Sequence, residues 1–301
     1  MNIPLPEFLP PDIARDLRTA AEAALRGGGA AMSHYGSERL AISEKGADDP
    51  VTAADHAAND AIHEVLAARA PGDPILSEES PPPAETETGP GTRLWIVDPL
   101  DGTKEFIAQN GEFAVMVGLA IGGGAAAGAL YQPDPGVLYL GWSGGGAWAI
   151  PIQEKDEKGQ GREAMALHLG PEPAEPVRFI RSRSHPDPLL SKLEERLPDA
   201  RTVLCGSVGV KCARIATEAA DVYVHPVAFL KEWDTCAPEA ILRAAGGACS
   251  DAWGRPLAYN KPDVRQRWGL VASNGQIHQR IVATTAAAAE AAGYGQETGF
   301  W

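Results

Sequence analysis

Between Phe113 and Ile150 the chain is apolar in three runs: FAVMVGLAI (113–121), AAAGALY (125–131) and VLYLGWSGGGAWAI (137–150). Glycines break and separate them. Runs this short, bounded by turn residues, predict strands, and connections of a few residues join antiparallel neighbours. The first half of the chain therefore has to fold around an antiparallel sheet. Two amphipathic helices are expected before it, over 11–35 with Asp12 as a cap, and over 53–69. The glycines at 27 to 29 weaken the end of the first helix. A short strand at Ile75–Leu76, an exposed Pro-, Glu- and Gly-rich loop over 81–92 and a strand end at WIVDP lie between the second helix and the sheet.

Beyond residue 176 the pattern alternates. VRFIRS (177–182), DVYVHP (221–226) and GLVAS (269–273) read as strands, and 187–197, 209–219, 234–245 and 275–291 as helices. Strand–helix alternation points to an α/β half. Residues 151–176 are charged or Pro-rich and form the best linker, with MALHL inside them a further strand candidate. The division is an N-terminal half, 1–170, of helices and antiparallel sheet, and a C-terminal α/β half, 171–301.

With 301 residues, 44% hydrophobic and 22% charged, the chain has the composition of a soluble globular protein. Lys and Arg number 26 against 40 Asp and Glu, a formal net charge of -14. That excess argues against a nucleic-acid polymer or an anionic membrane as partner. A phosphorylated small molecule would need something other than net charge to attract it. No apolar run approaches the roughly 18 residues of a membrane span. The N-terminus has neither a basic nor an apolar signal region. Cys205, Cys212, Cys236 and Cys249 make no C-x-x-C pair, so neither a zinc site nor a disulfide framework is expected. The expectation is a reduced, cytoplasmic protein. If it assembles, a homodimer is the commonest form.

One stretch needs a chemical reason. WIVDPLDGTKEF (95–106) runs from an apolar strand into Asp98 and Asp101. A surface turn would explain it, since Pro99, Gly102 and Asp are turn residues. Three other acidic spots stand at element edges: Asp55 at the start of the second helix, Glu78 and Glu79 after the strand at 75–76, and Asp234 at the start of a later helix. Singly, Asp55 and Asp234 read as helix caps or first-turn acids and the glutamates as a solvated loop. Together they form a carboxylate-only set that suits magnesium. A magnesium pair clamps the attacking and leaving oxygens of a phosphoryl group, and a helix start at Gly102–Thr103 offers N–H groups to phosphate. Haloacid-dehalogenase-like phosphatases carry D-x-D-G-T after a strand; the spacing here is D-x-x-D-G-T, which displaces the second carboxylate.

DPVTAAD (49–55), ILSEES (75–80), WIVDPLDGTKEF and EWDTCAPEAILRAAGG (232–247) resemble, in order, the motifs of the inositol monophosphatase superfamily. The resemblance covers about Lys45 to Ser273. It implies a layered α-β-α-β-α sandwich, α+β and α/β in character, of the inositol monophosphatase/fructose-1,6-bisphosphatase type. It also implies a lithium-sensitive phosphatase using two or three Mg2+ ions. DGTKEF in place of DGTTNF, together with SRSH (182–185), GSVGVK (206–211) and WDTCAPEAIL, is similar to the 3'(2'),5'-bisphosphate nucleotidase branch. That branch removes the 3'-phosphate of adenosine 3',5'-bisphosphate, a by-product of sulfur metabolism. An inositol or sugar monophosphatase is the alternative enzyme, and a non-catalytic phosphate or nucleotide sensor the alternative of another class.

By the same resemblance, Glu78, Asp98, Asp101, Asp234 and the Leu100 carbonyl hold metal. Asp55, Glu78 and Thr103 are catalytic, Thr103 pairing with Asp55 and orienting the attacking water. Asp101, Gly102, Thr103, Ser182, His185, Ser207, Lys211 and Asp234 contact substrate, with Lys211 a handle for the 5'-phosphate. Arg183 is a further residue in reach of phosphate, and Lys45 matches a family lysine that is either catalytic or an ion-pair partner. Residues 226–231, PVAFLK, depart from the small, Gly-containing loop of the family on the leaving-group side. The tail YGQETGFW has no assigned role.

Overall fold

The computed structural model describes residues 5, 9–37, 42–46, 49–83, 92–152, 163–170, 176–183, 188–197, 199–225 and 229–294. Helix α1 (Pro11–Met32) and helix α2 (Ala53–Arg69) flank a hairpin of β1 (Ile42–Gly46) and β2 (Asp49–Thr52). Then follow β3 (Ile75–Ser77), β4 (Arg93–Asp101), α3 (Thr103–Ile107), β5 (Ala114–Ile121), β6 (Gly124–Gln132), β7 (Val137–Trp142), β8 (Gly146–Pro151) and β9 (Met165–Leu167). Strands β3 to β9 make one seven-stranded sheet in sequence order, antiparallel except for the β3–β4 pair. The remainder is β10 (Arg178–Ser182), α4 (Pro188–Glu195), β11 (Arg201–Cys205), α5 (Val208–Ala216), β12 (Val222–His225), α6 (Glu232–Ala244), β13 (Gly247–Ser250), β14 (Leu270–Asn274) and α7 (His278–Ala291). Its five strands form a mixed sheet in the order β11-β10-β12-β14-β13.

Alternation along the strands builds the layers. On β4, Trp95 and Val97 face α1 and α2, packing with Leu17, Ile62 and Leu66. Leu94 and Ile96 face the opposite way, into a core shared with Ile215 of α5 and Ala240 and Ile241 of α6. On β12, Tyr223 faces that same core, while Val222 and Val224 pack with Leu190 and Leu193 of α4 and Ile281 of α7. The order is helix, sheet, helix, sheet, helix, the expected layered sandwich.

Helix α6 lies unusually close to the seven-stranded sheet. Gly118, Gly128 and Gly141 are cross-strand neighbours on β5, β6 and β7. A Cβ on Gly118 would stand 2.7 Å from Cys236 Sγ, one on Gly128 2.6 Å from the Ala237 carbonyl oxygen, and one on Gly141 would run into the Ile241 backbone. Three missing side chains thus form a trough for the helix that carries Asp234.

Several sequence expectations are corrected. Asp12 is no cap: Pro10 holds that position without a side-chain hydrogen bond, and Asp12 sits in the first turn. Helix α1 also runs through Gly27 and Gly28, both buried, and stops at Met32 rather than residue 35. The helix expected over 209–219 spans Val208–Ala216, and α7 begins after a 3-10 turn at Gly275–Ile277. Strands β1, β2, β11 and β13 were unforeseen. RTVLC of β11 is an edge strand mostly open to solvent, and GACS of β13 opens on glycine, so neither carries the apolar alternation that marks a strand. MALHL does supply a strand, β9. Parts of the loop at 81–92, of the linker at 151–176 and of PVAFLK, and the tail from 295 on, lie outside the described residues.

Candidate active site

Asp98 and Asp101 are three residues apart, and on a regular strand their side chains would point to opposite faces. They do not. Asp98 pairs with Met116 and Asp101 with Ala114, so three steps on β4 match two on β5 and the register shifts between the two aspartates. This one-residue bulge returns Asp101 to the face of Asp98. The D-x-x-D spacing, the Pro99 between them and the shared face are one feature. A strand ending on two carboxylates thus has a geometric reason: both point into the same cavity.

Asp234 joins them from α6, and Asp98, Asp101 and Asp234 each offer a carboxylate oxygen, all within 4.8 Å of one another. Its carboxylate also accepts a 2.5 Å hydrogen bond from the Lys231 N–H, which fixes it in the first turn of the helix. Pro238, one turn on, lacks the N–H that would cap the Asp234 carbonyl. The helix start is pinned by Glu232, fully buried, which accepts from the N–H groups of Asn260 (2.7 Å) and Lys261 (3.0 Å) and pairs with Lys261 Nζ at 2.9 Å.

Such crowding has an electrostatic signature. Burial, then the charges of Glu78, Asp101 and Asp234, push the Asp98 carboxyl well above its ordinary range. Burial and then Glu78 push Asp234 up to about 7. Buried carboxylates held together against their own repulsion are a hard-oxygen donor set that a divalent cation would stabilise. Asp98, Asp101 and Asp234 fit magnesium on that ground, with Glu78 and the Leu100 carbonyl on the same cavity wall.

Asp55 stands behind this wall. Its Oδ2 accepts from Thr52 N–H (2.7 Å) and Thr52 Oγ1 (2.6 Å), a capping arrangement at the start of α2. Its Oδ1 lies 3.1 Å from Thr103 Oγ1, which is also 3.2 Å from the Leu100 carbonyl. Both acceptors compete for the one Thr103 proton, so the hydroxyl's lone pairs are left for a donor in the cavity. Gly102 opens α3 with φ of 96°, and a Cβ there would approach the Glu112 carbonyl to 3.0 Å. Glycine is what lets the chain turn from bulge to helix.

The second half of the chain closes the cavity. Ser207 Oγ donates to Asp101 at 2.5 Å, and the N–H groups of Val208 and Gly209 add bonds of 3.0 and 2.6 Å. The start of α5 thus grips Asp101. Lys211, expected as a substrate-facing cation, is buried: its Nζ donates to the Gly206 carbonyl at 2.9 Å and lies 4.9 Å above the Tyr223 ring. Burial pushes its ammonium pKa down. It still lines the cavity, as do Ser182, Ser207 and Gly102. Arg183 turns to Glu112 at 2.7 Å, and Glu112 also holds Arg214 and the Gly206 N–H. His185 and the Lys45 side chain lie outside the described residues.

The cavity has a volume of about 420 Å³. Glu105, Tyr223, His225 and Trp233 also line it, and sequence reasoning gave them no role. Tyr223 and His225 alternate on β12, a signal legible in DVYVHP; Trp233 was legible only as the neighbour of Asp234.

The sequence profile described as the inositol monophosphatase family matches residues 13–290. The chain belongs to that family, whose members are metal-dependent phosphatases. Among its relatives, the 3'(2'),5'-bisphosphate nucleotidase CysQ of Escherichia coli is 36% identical over 244 residues, 81% of this chain and 93% of its own. The crystal structure of CysQ from Bacteroides thetaiotaomicron has a TM-score of 0.71 at 32% identity, covering 86% of this chain and 97% of that one. An inositol monophosphatase of Thermotoga maritima shares the fold, with a TM-score of 0.73 at 23% identity over 92% of this chain and 98% of its own. No helix among the described residues is long and apolar enough to cross a membrane.

Proposed function

We propose that the protein is a magnesium-dependent 3'(2'),5'-bisphosphate nucleotidase, removing the 3'-phosphate of adenosine 3',5'-bisphosphate to leave AMP and phosphate. The observation that carries the phosphatase chemistry is the convergence of Asp98, Asp101 and Asp234 within 4.8 Å beneath a cavity of ligand size. The nucleotide preference is supported by the likeness to CysQ and by the DGTKEF motif.

Asp98, Asp101, Asp234, Glu78 and the Leu100 carbonyl would hold the metal. When bound, magnesium supplies positive charge for the phosphoryl oxygens and makes water acidic enough to attack at neutral pH. Thr103 donates a hydrogen bond to Asp55 and would accept one from the attacking water, fixing its direction. Glu78 takes up the proton that this water loses. Gly102 and Thr103 present the start of α3 to the phosphate, and Ser182 lies on the nucleotide side. Lys211, beside Gly206 on the cavity lining, would supply a positive charge for the 5'-phosphate.

The test is phosphate release with magnesium from adenosine 3',5'-bisphosphate and from inositol 1-phosphate, with and without lithium. Preference for the bisphosphate, suppressed by lithium, is the expected result. Preference for inositol 1-phosphate would make the protein a monophosphatase, and binding of the nucleotide without phosphate release would make it a sensor.

A further inference from the structure

Among the described residues, the large apolar side chains more than a third exposed are Ile121, Met165, Leu204 and Phe229. Phe229 is the most open of them, at 67%, and it alone of the four lines the cavity. An exposed phenyl ring at the mouth of a polar site gains nothing from the fold itself. Its neighbours extend the same character: Leu230 and Trp233 line the cavity beside it, and Lys231 Nζ lies 5.8 Å over the Trp233 ring. The cavity lining therefore combines a carboxylate cluster, Asp98, Asp101 and Asp234, with the aromatic side chains of Phe229 and Trp233. A ligand matching both has a phosphorylated end and a flat apolar end. Inositol and sugar phosphates lack a flat π-face, being puckered polyol rings. A nucleotide has both, because every base presents a π-face.

We infer that Phe229 is the stacking surface for the nucleobase and sets the preference for nucleotides over other phosphate esters, an inference that rests on the nucleotidase reading above. Base and ring meet face to face or offset, with Trp233 and Leu230 as the wall that keeps water from the base. Phe229 does not touch the reacting atoms; its contribution is to binding of the nucleoside end.

Two measurements on the whole 301-residue chain test it. In the first, Phe229→Ala raises KM for adenosine 3',5'-bisphosphate about ten-fold, the scale of one base–aromatic stack, with kcat little changed. KM for inositol 1-phosphate stays where it was, and Phe229→Trp restores the nucleotide KM. In the second, calorimetry compares binding of AMP and of inorganic phosphate to wild type and Phe229→Ala. AMP binding weakens by about the same factor and phosphate binding does not. An unchanged AMP affinity, or equal weakening of AMP and phosphate, overturns the inference. Failure of the wild type to release phosphate from the bisphosphate would sink the nucleotidase reading, while the calorimetry would still decide the aromatic contact. Because the ring is exposed, its removal leaves the core intact.

Discussion

Asn59 of α2 receives a 2.7 Å hydrogen bond from Ser77 Oγ, the residue immediately before Glu78. The same side chain donates to Ser80 Oγ at 3.2 Å. One buried amide therefore brackets the turn that carries Glu78 to the cavity. Partners that orient metal ligands typically cost roughly 10-fold in metal affinity when removed. Asn59→Ala should raise the magnesium concentration for half-maximal phosphate release by about that factor. Turnover at saturating magnesium should change much less. A magnesium titration reads both, and an unaltered requirement would show that Glu78 needs no such support.

Asp98→Asn should remove nearly all turnover and yet make the metal-free protein more stable. The amide keeps the shape while deleting one of the crowded charges. In buffer containing a chelator at pH 8, a melting temperature about 2 °C or more above wild type is expected, on the order of 1 kcal/mol in a chain of this size. A variant that retained substantial activity would contradict the assigned role, and a lower melting temperature would contradict the repulsion.

The pH dependence of the metal-free protein follows from the same charges. Asp98 and Asp234 have folded-state pKa values raised above those of the unfolded chain, Asp234 to about 7. The folded state thus binds more protons than the unfolded state between about pH 4 and 7, and stability falls as pH rises through that window. Added magnesium should raise the melting temperature more at pH 8 than at pH 5, since at pH 5 it competes with protons. Thermal melts at the two pH values, with magnesium and with chelator, check both signs.

Two glycines should respond oppositely to alanine. Gly128→Ala places a methyl 2.6 Å from the Ala237 carbonyl. Overpacking of this kind costs about 1–3 kcal/mol. It should lower the urea midpoint and raise the magnesium requirement together, because α6 carries Asp234. Gly29, inside α1, has nothing within 4 Å of the same construction, so Gly29→Ala should stabilise the protein by roughly 0.5–1 kcal/mol and leave activity unchanged.

Lys211→Met should raise KM for adenosine 3',5'-bisphosphate more than KM for adenosine 3'-phosphate, which lacks the 5'-phosphate. Equal effects on the two substrates would place the lysine in support of Gly206 alone.

The layered fold was legible because strand alternation and helix spacing are local properties. The antiparallel strands over 113–150, α2 and the metal-ligand candidates all announce themselves within short windows. What stayed hidden depends on partners far away in sequence. The bulge between Asp98 and Asp101 exists only against Met116 and Ala114, so the spacing could be noticed without its cause being known. The burial of Lys211 stayed hidden because nothing near it in sequence reveals the Tyr223 ring or the depth of α5. The bracketing by Asn59 links residues 18 and 21 positions apart, and a lone asparagine in a helix carries no signal of it.

The glycine trough under α6 has a consequence for how such a site can change over generations. Asp98 and Asp101 belong to one sheet and Asp234 to a helix laid across it, so the spacing between them is set by what β5, β6 and β7 leave out. Substitutions inside the cavity alter chemistry one residue at a time. A single methyl at Gly118, Gly128 or Gly141 would lift the whole helix and move the third carboxylate with it. Three positions outside the cavity lining thus act as the ruler of the carboxylate cluster.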